Sequence, residues 1–158
     1  VKEKFKNYDA FGKATLVDVL EGRLDGSTVQ ECYTFAHTVF LNDGKGSFKT
    51  RELPKLAQIA PIYDMVVRDF DGDGQLDLFC VGNFHQREVE TTRSDAGVGA
   101  LLLGDGAGGF TAVSPSVTGV VAKEDARAVV WLNNKGQRTV MAIANNGAPM
   151  QFYVEAAQ

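Results

Sequence analysis

The chain has 158 residues, 44% of them hydrophobic, and a formal net charge of −4. That length suits one domain with a real core, and the weak acidity argues against nucleic acid or an anionic membrane as partner. No apolar run approaches the roughly 18 residues of a membrane-spanning helix. The opening VKEKFKNYDAF lacks the apolar stretch of a secretion signal and an initiating Met, which points to a mature fragment or a piece of a longer chain. Cys32 and Cys80 lie in separate apolar runs. Two free, buried thiols are the plainer expectation and a disulfide the alternative; the count fixes no compartment.

In chain order, residues 1–24 read as a short helical insert. Phe5, Tyr8, Leu16 and Val19 fall near helical spacing, Asn7 can cap, and Asp9 suits the positive end of the dipole. Gly12 weakens this helix by roughly 1 kcal/mol. A turn at EGRLDGS follows, and the expected role of the insert is packing over one end of the β structure. VQECYTFAHTVFL (29–41) alternates and reads as one long strand. Short, β-branched or aromatic strings then recur between Gly, Asn and Asp: MVV (65–67), LFCV (78–81), ALLL (100–103), AVVWL (128–132) and VMAIA (140–144). NDGKGS and GDGAGG between strands read as hairpin turns, where glycine supplies positive φ.

The strings repeat. FLNDGKGSF (40–48) returns as LLGDGAGGF (102–110), an offset of 62 that also matches Val67 to Val129, Gly74-Gln75 to Gly136-Gln137, and Asn83 to Asn145. A fixed period marks a repeat architecture. Each unit runs strand, loop, strand, long connection, strand, glycine turn, strand, which describes a propeller blade; a β-sandwich with chance similarity is the alternative. The expected fold is mainly β: a partial β-propeller of about two blades, with a half blade at 29–52, a full blade at 63–113 and a degenerate blade at 125–154. About four blades are needed to close a ring, so the expected setting is the terminal portion of a larger propeller.

One stretch, DFDGDGQLD (69–77), crowds four aspartates into nine residues. Asp69, Asp71, Asp73 and Asp77 stand at positions 1, 3, 5 and 9, with Gly74 at the sixth for a sharp turn. Hard oxygen donors at alternate positions suit Ca²⁺, and Gln75 would contribute its main-chain carbonyl. An EF-hand is excluded because position 12 is Cys80 and LFCV reads as a strand, not a helix. The alternative is a solvated acidic hairpin without metal. At the offset of 62 the four aspartates become Trp131, Asn133, Lys135 and Thr139, so the charge cluster belongs to one blade alone.

DFDGDGQLDL followed by VGN and then LLLGDGAGGF resembles the FG-GAP or VCBS repeats of calcium-binding β-propellers. NYDAFGKATLVDVL and TVFLNDGKGSFKTRELPKLAQIAPIYDMVVRDFDGDG resemble the C-terminal region of large bacterial (Bacteroidetes-type) surface proteins that carry such repeats beside ASPIC/UnbV modules. The resemblance implies calcium on Asp69, Asp71, Asp73 and Asp77 with the Gln75 carbonyl, and an extracellular or outer-membrane-surface location.

The function expected is that of a non-catalytic scaffold or protein-interaction platform. Its partners would be other proteins: the remainder of a larger propeller, or an outer-membrane complex. The long polar connection at 83–97 offers His85, Arg87 and Arg93 as partner contacts, or is simply solvated. A glycan-active enzyme using two of the aspartates is the contrasting reading, but carboxylates spaced for one cation make poor general acids. Glycan binding without turnover would draw on Tyr63, Trp131 and Tyr153, whose apolar neighbours place them more naturally in the core.

Overall fold

The computed structural model describes residues 3–21, 23–133 and 139–154, so Lys135 lies outside the described residues. The chain divides into two units, Val1–Phe35 and Ala36–Gln158. In the first unit the helical insert is two short helices, α1 (Tyr8–Gly12) and α2 (Leu16–Leu20), with no buried residue in either. The Asn7 side chain caps α1 by accepting from the Ala10 N–H at 2.8 Å. One continuous helix does not form, because Thr15 and Asp18 make a reciprocal capping box that starts α2 afresh. Cys32, expected buried, is exposed; Cys80 is buried and both thiols are free.

The long strand expected over 29–41 contracts to β1, Thr38–Asn42. A strand is only as long as its partner, and β2 (Phe48–Glu52) offers five residues. The Leu53 N–H closes the pair on the His37 carbonyl at 2.9 Å, and Pro54 then opens α3, Lys55–Gln58. Upstream, Tyr33 and Phe35 alternate with polar residues but remain exposed.

Within the second unit the described strands form three antiparallel sheets, a hairpin and two meanders. The first sheet is β1–β2. The second is β3 (Asp64–Arg68), β4 (Asp77–Val81), β5 (Ala100–Gly104) and β6 (Phe110–Val113). After α4 (Pro115–Thr118) comes the third, β7 (Ala126–Leu132), β8 (Val140–Asn145) and β9 (Gln151–Val154). The fold is mainly β, with few short helices.

Two apolar layers hold these sheets together. Leu78, Cys80, Ala100 and Leu102 on one face of the second sheet meet Val39, Leu53 and Ala57. Phe79 and Val81 on its other face meet Val129, Met141 and Ile143 of the third. Strand β4, covered on both faces, is buried throughout. Two polar pins reinforce the second layer: the Asp64 carboxylate accepts from the Val129 N–H at 2.8 Å, and the buried Asn83 amide donates to the Gly97, Lys123 and Glu124 carbonyls.

The two glycine turns are alike in detail. Gly44, Gly46, Gly106 and Gly108 all have positive φ. In each turn an aspartate closes the hairpin: Asp43 Oδ1 accepts from Lys45 and Ser47, and Asp105 Oδ1 from Ala107 and Gly109. The same turn thus recurs at the offset of 62.

The gapless offset does not survive the last hairpin. Val67 pairs with Leu78, but its counterpart Val129 pairs with Ile143, so β8 is displaced by three residues. A register irregularity between Ala126 and Ala128 accompanies the change. The third sheet then continues through Trp131–Met141 and Leu132–Val140, at the level where the second sheet has already left its ladder for the aspartate loop.

Candidate metal centre

The aspartate loop leaves β3 after Arg68 and re-enters β4 at Asp77. Gly72 and Gly74 take φ of 82° and 85°, which fold it back on itself. Asp69, Asp71 and Asp77 each bring a carboxylate oxygen to within 4.8 Å of the other two. Asp73 lies outside that trio; its Oδ1 accepts from the Gln75 N–H at 2.7 Å.

The three carboxylates differ in environment. Asp77 is completely buried, and its charge is met by N–H groups of Phe70 (2.7 Å) and Gly104 (2.8 Å). Asp69 accepts from Gly72 at 2.6 Å and Gly74 at 2.9 Å. Its carboxyl is held below the usual range, chiefly by the Gly74 hydrogen bond. Asp71 is exposed and accepts only from Asp73, at 3.1 Å. Among the described residues, no ion pair joins a Lys, Arg or His to any of the four aspartates. Carboxylate oxygens bonded to one N–H keep lone pairs for a cation, so the set fits a hard divalent ion, with Asp69, Asp71 and Asp77 as holders.

The second glycine turn cradles this loop. A Cβ on Gly104 would fall 2.2 Å from the Leu76 carbonyl, and one on Gly106 would fall 2.1 Å from the Gln75 side-chain oxygen. Both glycines therefore permit close approach, and Gly106, at φ 70°, also turns the chain. The role of Gly104 in bonding Asp77 carried no sequence signal beyond its place at the end of a strand.

In the third sheet, Trp131 occupies the strand place of Asp69. Its ring meets Phe70 edge-on at 5.3 Å and lies under the Arg68 guanidinium at 4.3 Å. Tyr153 packs on the same core, its hydroxyl donating to the Val121 carbonyl. Tyr63 departs from the core expectation: it is half exposed, with the Arg127 guanidinium 4.0 Å from its ring.

His85 is half-buried and Arg93 exposed, while Arg87 donates to the Thr92 carbonyl within its own loop. An ion pair that the sequence did not reveal joins the buried Asp125 to the half-buried Arg127. Asp125 bonds Arg127 at 2.9 Å and Asn146 at 3.1 Å. Burial pushes the Asp125 carboxyl up, but these partners more than offset it, leaving it below the usual range.

Residues 18–80 match the FG-GAP-like repeat. The match spans one full period and contains the whole aspartate loop. The mainly β chain, with its three antiparallel sheets, is consistent with a partial β-propeller fragment of the FG-GAP kind. A search of curated proteins found no match to the chain, and a search of solved structures found none.

Proposed function

We propose that this FG-GAP-like module is a calcium-stabilised, non-catalytic scaffold or protein-interaction platform of an extracellular or cell-surface protein. The observation that carries the reading is the convergence of Asp69, Asp71 and Asp77 within 4.8 Å, in a glycine-folded loop whose carboxylates, among the described residues, form no ion pair with a cationic side chain. Bound there, Ca²⁺ would neutralise the cluster and tie the β3–β4 loop together; Asp73 and the Gln75 carbonyl complete the expected ligand set. Calcium-dependent folding of this kind suits a compartment rich in that ion, such as the outside of a bacterial cell. The non-catalytic reading rests on the engagement of these carboxylates by loop N–H groups, which disfavours proton transfer. Calorimetric titration of chelator-stripped protein tests it directly. Calcium should bind at one site and raise the melting temperature, by about 2.7 kcal/mol of stabilisation at a free concentration near 100 times Kd. An unchanged melting temperature at saturating calcium would refute it.

A further inference from the structure

Phe70 belongs at once to the aspartate loop and to the contact between the second and third sheets. It lies between Asp69 and Asp71 in the chain, and its N–H donates to the buried Asp77 carboxylate at 2.7 Å. All three converging aspartates therefore hold its backbone, two through the chain and one through a hydrogen bond. Its ring packs in the apolar layer between the sheets, tilted against Phe79 at 6.5 Å and edge-on to Trp131 at 5.3 Å. Arg68 makes a second such link. Its Nε donates to the Asp69 carbonyl at 3.1 Å, while its guanidinium lies 4.3 Å from the Trp131 ring centre and 5.2 Å from that of Phe70.

A stack of this kind is only as well placed as the backbone that carries it. Three carboxylates with oxygens within 4.8 Å of one another repel when no cation stands between them. Bound calcium turns that repulsion into attraction and fixes the segment from Asp69 to Asp71, and with it the Phe70 ring and the carbonyl that Arg68 bonds. The polar pins between the sheets do not pass through the loop. Asp64, which accepts from the Val129 N–H, is at the opposite end of β3, and Asn83 reaches the Lys123 and Glu124 carbonyls from beyond the far end of β4. Those pins keep the sheets attached without the ion, so the part left to the ion is the packing at Trp131.

We infer that calcium in the aspartate loop and close packing of the third sheet at Trp131 favour one another, through Phe70 and Arg68. The inference rests on the calcium reading above and adds that the ion tightens a contact between sheets as well as a hairpin. Such coupling is reciprocal. If the ion steadies Trp131, then Trp131, which supplies no ligand, must in turn raise the affinity for the ion.

Trp131 is the one tryptophan of the chain, so its fluorescence reads the stack directly. Calcium added to chelator-stripped wild-type protein should shift the emission to the blue and raise its anisotropy, with the midpoint of calorimetric binding. Trp131→Leu should weaken calcium binding roughly fivefold or more, as couplings of ordinary size do. Phe70→Leu keeps the N–H that Asp77 accepts, yet should weaken binding likewise and abolish the fluorescence shift; it serves alone if Trp131→Leu misfolds. Leu53→Ala loosens the other apolar layer without touching the stack, and should leave the affinity unchanged. Circular dichroism verifies that each variant is folded. Absence of calorimetric binding to the wild type refutes the calcium reading, and this inference with it. Where calcium does bind, an unmoved Trp131 emission, or wild-type affinity in the folded stack variants, overturns the coupling and leaves the calcium reading standing. Equal weakening by Leu53→Ala overturns the part given to Phe70 and Trp131.

Discussion

Replacing Asp77 and Asp71 separately distinguishes the two tasks assigned to the aspartate loop. Asp77→Ala leaves the Phe70 and Gly104 N–H groups without their acceptor in a partly buried setting. Each unsatisfied donor costs roughly 1–3 kcal/mol. Because both donors are only partly buried and a like charge is also removed, the net loss is about 2–4 kcal/mol. For a chain of this size that is a fall in melting temperature of roughly 5–15 °C, and it should appear in chelator as well as in calcium. Asp71→Ala removes one long, exposed hydrogen bond. In chelator its melting temperature should stay within about 2 °C of wild type, as surface changes usually do. In calcium, however, it should lose most of the ion-dependent gain. Differential scanning calorimetry of three proteins in two buffers reads all of this. If Asp77→Ala melts with wild type in chelator, the buried carboxylate is not what closes the loop.

The thiols give an independent check on the two units. Cys32 should react with a maleimide within the folded protein, whereas Cys80 should react only on unfolding, being buried with its thiol pushed up to about 11 by desolvation; equal rates would refute the burial of β4. Acid should weaken the base of the third sheet. Asp125 has a folded pKa below its unfolded value, so its stabilisation is complete above the unfolded value of about 4 and is lost as pH falls through the folded one. Asp125→Asn should therefore flatten the decline in melting temperature below about pH 4, and an unchanged slope would count against the Asp125–Arg127 pairing.

Most of the strand order was legible because each strand is a short apolar string between turn formers, and because the period of 62 supplied two views of the same unit. Spacing alone singled out Asp69, Asp71, Asp73 and Asp77, of which the fold brings Asp69, Asp71 and Asp77 together and leaves Asp73 outside the trio. What spacing could not tell is that Asp77 is buried under the Gly104 amide, a contact between residues 27 apart. The strand expected over 29–41 failed because alternation reports one face and says nothing about whether a partner exists. The offset failed in the last hairpin because the match of Asn145 to Asn83 fits a register that the extended β7–β8 ladder does not use. Asn83 illustrates the same limit: its position was noted, but three carbonyls from two separate connections meet its amide only in the folded chain.

The meander topology also governs how this chain reaches its native state. Every ladder joins strands that are neighbours in sequence, so each sheet can zip from its own hairpin without waiting for distant segments. The slower event is docking, when the Asp64 carboxylate finds the Val129 amide and the Asn83 side chain finds the connection before β7. Opening runs the same way in reverse. The sheet, not the strand, is the smallest piece that can detach and return, and the third sheet detaches by releasing a single apolar layer and its few polar pins.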